Sequence, residues 1–143
     1  MSVDTDITQV VGARLVQLKR IDSENGSLVV GELPMQLPFV TRRIFTLFDI
    51  PEGEVRGTHA HRQCEQFLIC MTGSVSAIVD DGAHKAEVLL DDPALGLYMP
   101  ALTWGTQYKY SADAVLLVLA SDPYDADDYI HEYDEFVALA LQR

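Results

Sequence analysis

Short runs of apolar or alternating residues, each closed by turn-forming residues, recur along most of this chain. Such runs are predicted strands at 14–18, 27–30, 43–48, 55–59, 66–71, 74–79, 85–90, 95–99, 106–110 and 114–120. The punctuation between them is Glu24-Asn25-Gly26, Pro51-Glu52-Gly53, Thr72-Gly73, Asp80-Asp81-Gly82, Asp91-Asp92-Pro93 and Ser111-Ala112-Asp113. Successive side chains of a strand point to opposite faces, so a period of two supplies one face for a core and one for solvent. Many short strands without helices between them predict an all-β fold, an antiparallel sandwich or barrel. Asp81-Gly82 predicts a hairpin turn, because both residues tolerate positive φ.

The period changes near the C-terminus. Tyr129, Tyr133, Phe136, Val137 and Ala140 recur at helical spacing, which predicts one amphipathic helix over 125–141. Asp125 is the expected N-cap, and Asp127 and Asp128 suit the positive end of the helix dipole. This helix is expected to lie on the outside of the barrel without a chemical role. Residues 1–143 read as a single domain, with 1–6 expected to be flexible.

Composition narrows the class of protein. Hydrophobic residues make up 48% and charged residues 22%, as in soluble globular chains. The strongest apolar run, 114–120, is too short to span a bilayer, and the first residues carry neither a basic nor an apolar leader segment. Cys64 and Cys70 lack metal-type spacing and fit reduced thiols in the cytoplasm. A net charge of −12, from 22 acids against 10 bases, argues against nucleic acid and anionic membranes as partners. An anionic small substrate remains compatible where a few of those bases gather at one site.

The candidate chemistry lies in the segment from Gly53 to Gly73. His59 and His61 are two apart, so on a strand they share a face while Ala60 takes the other. Two imidazoles facing a barrel interior can titrate near neutrality, as general acid–base catalysis requires. A lone His-x-His is more often a surface or core pair; the surrounding spacing shifts that balance. The glycine, the His-x-His pair, a following polar position and the closing Gly73 resemble the first motif of the cupin family. At the carboxylate position counted from Gly73 stands Gln66, while Glu65 fits the count from His61 only. The stretch resembling the second cupin motif, 100–106, contains no histidine, and His84 and His131 fall in the predicted hairpin and helix. A metal needs about three or four converging protein ligands. The expectation is therefore no metal, with His59 and His61 free for proton transfer.

Over about 22–136 the chain further resembles the nucleotide-sugar 3,4-ketoisomerases of deoxysugar biosynthesis. The resemblance rests on RGTHAHR at 56–62, on NGSLVV at 25–30 with Glu32, and on Gln66. It extends to VDDG at 79–82, GLY at 96–98, Pro100, Trp104, the apolar run 114–121, and Tyr124-Asp125, Asp128-Tyr129-Ile130 and 133–136. It implies a cupin or jelly-roll barrel, a homodimer, and a dTDP-4-keto-6-deoxyglucose substrate whose carbonyl moves from C4 to C3 without a cofactor. By that likeness His59 shuttles the proton between the carbons and His61 serves the oxygens. Arg42, Arg43, Arg56 and Arg62 cluster around the histidine strand, and Arg43, Arg56 and Arg62 are candidates for the pyrophosphate. Gln66, Tyr98, Trp104 and Tyr108 are candidate substrate contacts. Family members often carry a tyrosine in the strand before the histidines; here 43–48 reads RIFTLF, which leaves Thr46, Tyr98 or Tyr108 to replace it. Gly105 stands where relatives carry a bulkier residue. Three alternatives stay open: a dTDP-sugar epimerase-like enzyme, a non-catalytic nucleotide-sugar-binding cupin, and a metal cupin such as a dioxygenase using Glu65.

Overall fold

The computed structural model describes residues 6–143, so the flexibility expected of residues 1–5 lies outside the described residues. Asp6 is described, and its side chain caps a short 3-10 turn at Ile7–Gln9. The strands are β1 (Arg14–Gln17), β2 (Lys19–Ser23), β3 (Gly26–Val30), β4 (Arg43–Phe48), β5 (Arg56–His61) and β6 (Gln66–Thr72). They continue as β7 (Val75–Asp80), β8 (Lys85–Leu90), β9 (Leu95–Met99), β10 (Trp104–Tyr108), β11 (Val115–Ala120) and β12 (Tyr129–Ile130), before helix α1 (Tyr133–Ala140).

Two antiparallel sheets of five strands form the body, ordered β1-β9-β6-β11-β4 and β12-β5-β10-β7-β8. Alternation explains why they face each other. Leu68, Cys70, Leu97, Leu116 and Val118 point from the first sheet, and Val75, Ala77, Val79, Ala86, Val88 and Leu90 from the second, into one buried cluster. Fully burying a Val or Leu side chain is worth about 1.5–3 kcal/mol, so this shared interior is the main force holding the sheets together. The expected all-β cupin architecture is the observed one. The hairpin at Asp81-Gly82 also forms, as a four-residue loop at 81–84: Asp80 pairs with Lys85, and Gly82 takes φ +95°.

Besides shifted strand ends (104–108 for the expected 106–110, 56–61 for 55–59), two elements differ from expectation. Strand β2 is absent from the predicted set. Its five residues are all exposed and pair only with β3, so no buried face leaves a period to read. The C-terminal helix is shorter than 125–141. Asp125 caps a 3-10 turn at Ala126–Asp128, the chain then runs extended through β12, and α1 begins only at Tyr133. Tyr129 and Ile130 satisfy their backbone groups by pairing with His61 and Ala60 at the sheet edge. Beyond them Phe136 and Ala140 bury against Ala60 and Ile130, with Trp104 packed alongside. The helix thus seals the outer face of the second sheet. Among the described residues, no helix is long and apolar enough to cross a membrane.

Candidate active site

Strand β5 reaches the site through a bulge. Gly105 pairs with His59 but Thr106 pairs with Gly57, which leaves Thr58 as the extra residue. Gly57 and Thr58 take φ of 83° and 55°. A side chain at Gly57 would meet the Gly105 carbonyl oxygen at 2.8 Å, so close approach as well as backbone angle calls for glycine. Bulges of this kind re-aim side chains. After this one, His59 and His61 line the same cavity, ring centroids 5.0 Å apart and nearly edge to face.

The two imidazoles are held differently. His59 Nδ1 lies 3.0 Å from the Gly57 carbonyl oxygen, whereas His61 Nδ1 lies 3.0 Å from Asp128 Oδ2. Among the described residues, His61 Nε2 is buried with no hydrogen-bond partner. Burial, then the neighbouring His61, holds His59 down to about 4. Burial lowers His61 as well, but Asp128 opposes it. Tyr129, on the paired strand β12, completes the cluster with centroids 4.9 Å from His59 and 4.4 Å from His61.

The cavity measures about 200 Å³. Its polar lining is Arg56, His59, His61, Gln66, Thr103, Gln107 and Tyr129, and its apolar lining Phe45, Leu47, Leu68, Met99 and Val118. Gly105 also lines it, and the Met99 methyl stands 2.5 Å from where a Gly105 Cβ would lie. The space a bulkier residue would take is therefore already filled by Met99.

Of the residues singled out in the sequence, His59, His61, Arg56 and Gln66 line the cavity. Arg43 does not; its guanidinium lies 5.5 Å from the Phe45 ring and 5.7 Å from the Tyr124 ring and donates to Cys64 Sγ at 4.0 Å. Thr46, Tyr98, Trp104, Tyr108 and Arg62 are placed elsewhere. Thr46 lies between Phe45 and Leu47, which line the cavity, so alternation turns it outward. The same rule places Gly105 and Gln107 inside and Trp104 and Tyr108 outside. Trp104 packs on Tyr133 and Phe136 at 5.2 and 5.6 Å, and the Tyr108 hydroxyl donates to Glu87. Tyr98 is buried beside Phe39 with its hydroxyl donating to Glu65. Arg62 forms an exposed ion pair with Glu135 at 2.7 Å.

Glu65, the acid a metal-based reading would use, is thus engaged by Tyr98 and does not line the cavity. Among the described residues, His61, Cys64 and Asp128 bring ligand atoms within 4.8 Å of one another. Hydrogen bonds account for that cluster: Asp128 Oδ1 accepts from Gln63 N at 2.8 Å, and Oδ2 lies 3.3 Å from Cys64 N besides His61. Among the described residues the cavity lining offers imidazoles, amides and a thioether without a carboxylate, a set suited to proton transfer and sugar hydroxyls.

Tyr129, Gln107 and Asp128 were not singled out for the site. Tyr129 and Asp128 were absorbed into the helical period, although Tyr129-Ile130 also alternates as a strand does. Gln107 carries no motif signal.

Comparison with known proteins agrees with this geometry. The family model described as FdtA: WxcM-like, C-terminal, matches residues 11–141. A TDP-4-oxo-6-deoxy-α-D-glucose-3,4-oxoisomerase of Aneurinibacillus thermoaerophilus is 43% identical over 123 residues, covering 86% of this chain and 88% of the relative. The WlaRB TDP-quinovose 3,4-ketoisomerase of Campylobacter jejuni superposes with a TM-score of 0.86 at 39% identity, over 90% of this chain and 99% of that one. A histidine-to-asparagine mutant of the 3,4-ketoisomerase QdtA of Thermoanaerobacterium thermosaccharolyticum, in complex with TDP-4-keto-6-deoxyglucose, gives 0.89 at 32% identity. It covers 94% of this chain and 97% of that one. The chain belongs to the FdtA family, whose relatives named here are sugar 3,4-ketoisomerases, and is an isomerase built on the cupin fold.

Proposed function

We propose that this isomerase acts on dTDP-4-keto-6-deoxyglucose, moving the carbonyl from C4 to C3 by proton transfer through His59 and His61. The observation that carries the reading is the imidazole pair, 5.0 Å apart on one wall of a small cavity whose remaining polar lining suits sugar hydroxyls. The names of the relatives supply the substrate class.

The chemistry balances without an added reagent. His59, which burial keeps neutral, takes the C3 proton. The C–H electron pair becomes the C3–C4 double bond while O4 takes a proton from the His61 imidazolium, giving an enediol. O3 then returns a proton to His61 as the C3 carbonyl forms, and C4 takes the proton held on His59. No cofactor is needed, because the substrate carbonyl already acidifies the adjacent C–H. Arg56, exposed at the cavity, is the candidate for the pyrophosphate, and Gln66 and Gln107 are candidates for the sugar.

A second copy of the chain is the proposed partner. Outward-facing Ile44 and Phe48 on β4 are 65% and 59% exposed, and the β2–β3 hairpin, outside both large sheets, exposes Ile21 and Leu28. An apolar groove of about 510 Å³ lies on this side, lined by Leu18, Val29, Leu37, Ile69, Leu117 and Leu119 among others. Exposed apolar surface of this kind is characteristic of interfaces between chains. Light scattering should give a particle of two chains; a monomer at micromolar concentration would overturn that part. Free thiols at Cys64 and Cys70 fit a reducing, cytoplasmic setting.

The test is ¹H NMR of the sugar in D₂O, with His59→Asn beside the parent. A 3-keto product formed by the parent and lost in the variant supports the reading. Unchanged substrate overturns it in favour of a binding module, and deuterium at C5 without carbonyl migration points to an epimerase.

A further inference from the structure

We propose that Asp128 is a positioning residue for this reaction, fixing His61 with Nδ1–H toward its own carboxylate and Nε2 toward the cavity. The inference rests on the isomerase reading above and adds to it a residue outside the cavity.

Several observations converge on Asp128. It lies far from the histidines in sequence, in the turn that leads into β12, and the pairing of Tyr129 with His61 delivers it to β5. Its Oδ2 is 3.0 Å from His61 Nδ1, and the two side chains are only 12% and 6% exposed. A carboxylate accepts and cannot donate, so Nδ1 must carry the hydrogen. In the neutral ring the lone pair is then on Nε2, the nitrogen that is buried without a partner among the described residues. The carboxylate is itself held: Gln63 N donates to Oδ1 at 2.8 Å, Cys64 N lies 3.3 Å from Oδ2, and Arg62 N donates to the Asp128 carbonyl at 2.8 Å. Asp128 is thus a fixed acceptor on a braced turn.

The contrast with His59 gives the arrangement its chemical sense. His59 Nδ1 faces the neutral Gly57 carbonyl, which orients the ring but contributes no net charge. His61 faces an anion, which stabilises the imidazolium that must exist while a proton passes between the two substrate oxygens. The other groups that bear on His61 are Arg43 from β4, which disfavours its charge, and Asp122, which favours it. His59, the Tyr129 ring and the Cys64 thiol also lie beside it. Asp128 is the one among these that hydrogen-bonds the His61 ring.

Asp128→Asn separates orientation from bulk. With Gln63 N donating to Oδ1 at the shorter distance, the amide oxygen takes that position and the NH₂ turns toward His61. A donor there forces the hydrogen onto Nε2, the wrong tautomer for accepting from substrate. The loss in kcat should be on the order of 10²–10⁴-fold, as for loss of a positioned acid–base group, with KM little changed. The variant's pH–rate profile should shift to lower pH where His61 must be charged, and Asp128→Glu should recover part of the rate.

The experiment is long-range ¹H–¹⁵N NMR of the histidine-labelled protein without substrate, followed by kinetics on dTDP-4-keto-6-deoxyglucose. A hydrogen on His61 Nδ1 in the parent, moved to Nε2 in Asp128→Asn together with the loss of kcat, supports the proposal. A neutral His61 ring with its hydrogen on Nε2 in the parent overturns it, as does a kcat in Asp128→Asn within about twofold of the parent. Should Asp128→Asn not fold, the parent tautomer and the kinetics of Asp128→Glu decide the matter. If the parent converts no substrate, the isomerase reading fails, and the tautomer still reports the Asp128 contact separately.

Discussion

Strands β5 and β10 present two faces of opposite character. The inner face carries His59, His61, Gly105 and Gln107 around a cavity of about 200 Å³. The outer face carries Ala60 and Trp104, packed with Ile130 and Phe136 from β12 and α1 into a closed apolar layer. Trp104 and Phe136 on this outer side are spent on packing, whereas the inner side keeps small residues and titratable groups with space before them. The difference shows where strain and unpaired groups are tolerated: the Gly57-Thr58 bulge and the bare His61 Nε2 both belong to β5, and the tightly packed layer behind holds them in place.

The largest effect should come from breaking the inner face alone. His59→Asn should lower kcat by about 10²–10⁴-fold while the fold persists, as read by steady-state kinetics beside circular dichroism. The same variant tests the pH linkage. In the parent, His59 stays neutral down to about 4, against 6.5 for an unperturbed histidine. Between those values the unfolded chain binds the extra proton, so stability falls as pH drops through that window. His59→Asn should reduce this acid sensitivity in urea titrations at successive pH values; an unaltered pH slope would contradict it. Breaking the outer face should reverse the pattern. Phe136 is fully buried, and Phe136→Ala should cost about 3–5 kcal/mol of unfolding free energy, with KM little changed at temperatures where the variant remains folded. A selective loss of substrate binding instead would mean that the layer belongs to the site. The smallest effect is expected at the rim. The Arg62–Glu135 pair is exposed on both sides, so Arg62→Ala should change stability by about 0–1 kcal/mol and leave KM unchanged. A large rise in KM would return Arg62 to the substrate.

Legibility in the sequence followed the same division. Strands with one buried face, such as β7 with Val75, Ala77 and Val79 fully buried, announced themselves by period. The exposed β2 did not, because nothing distinguishes its two faces. His59 and His61 were readable as sharing a face because they stand two apart, and Gln66 by its position in the cupin-like motif; Arg56 was singled out by residue type, and its odd separation from His59 brings both to the cavity only through the bulge at Thr58. Trp104, Tyr108, Tyr98 and Thr46 were singled out by residue type, and type does not tell on which face of the sheet a ring or hydroxyl lies.

Local pattern alone therefore determined the antiparallel strands, the turn at Gly82 and the shared face of the two histidines, since each depends on neighbours along the chain. Only the tertiary structure decided that Tyr129 and Asp128 leave the helical register and reach β5. That outcome turns on edge pairing with His61 and Ala60 and on burial of Ile130, interactions between segments remote in sequence. A helical period and a two-residue strand compete on equal terms in a short segment, and the unsatisfied edge of β5 settled the competition.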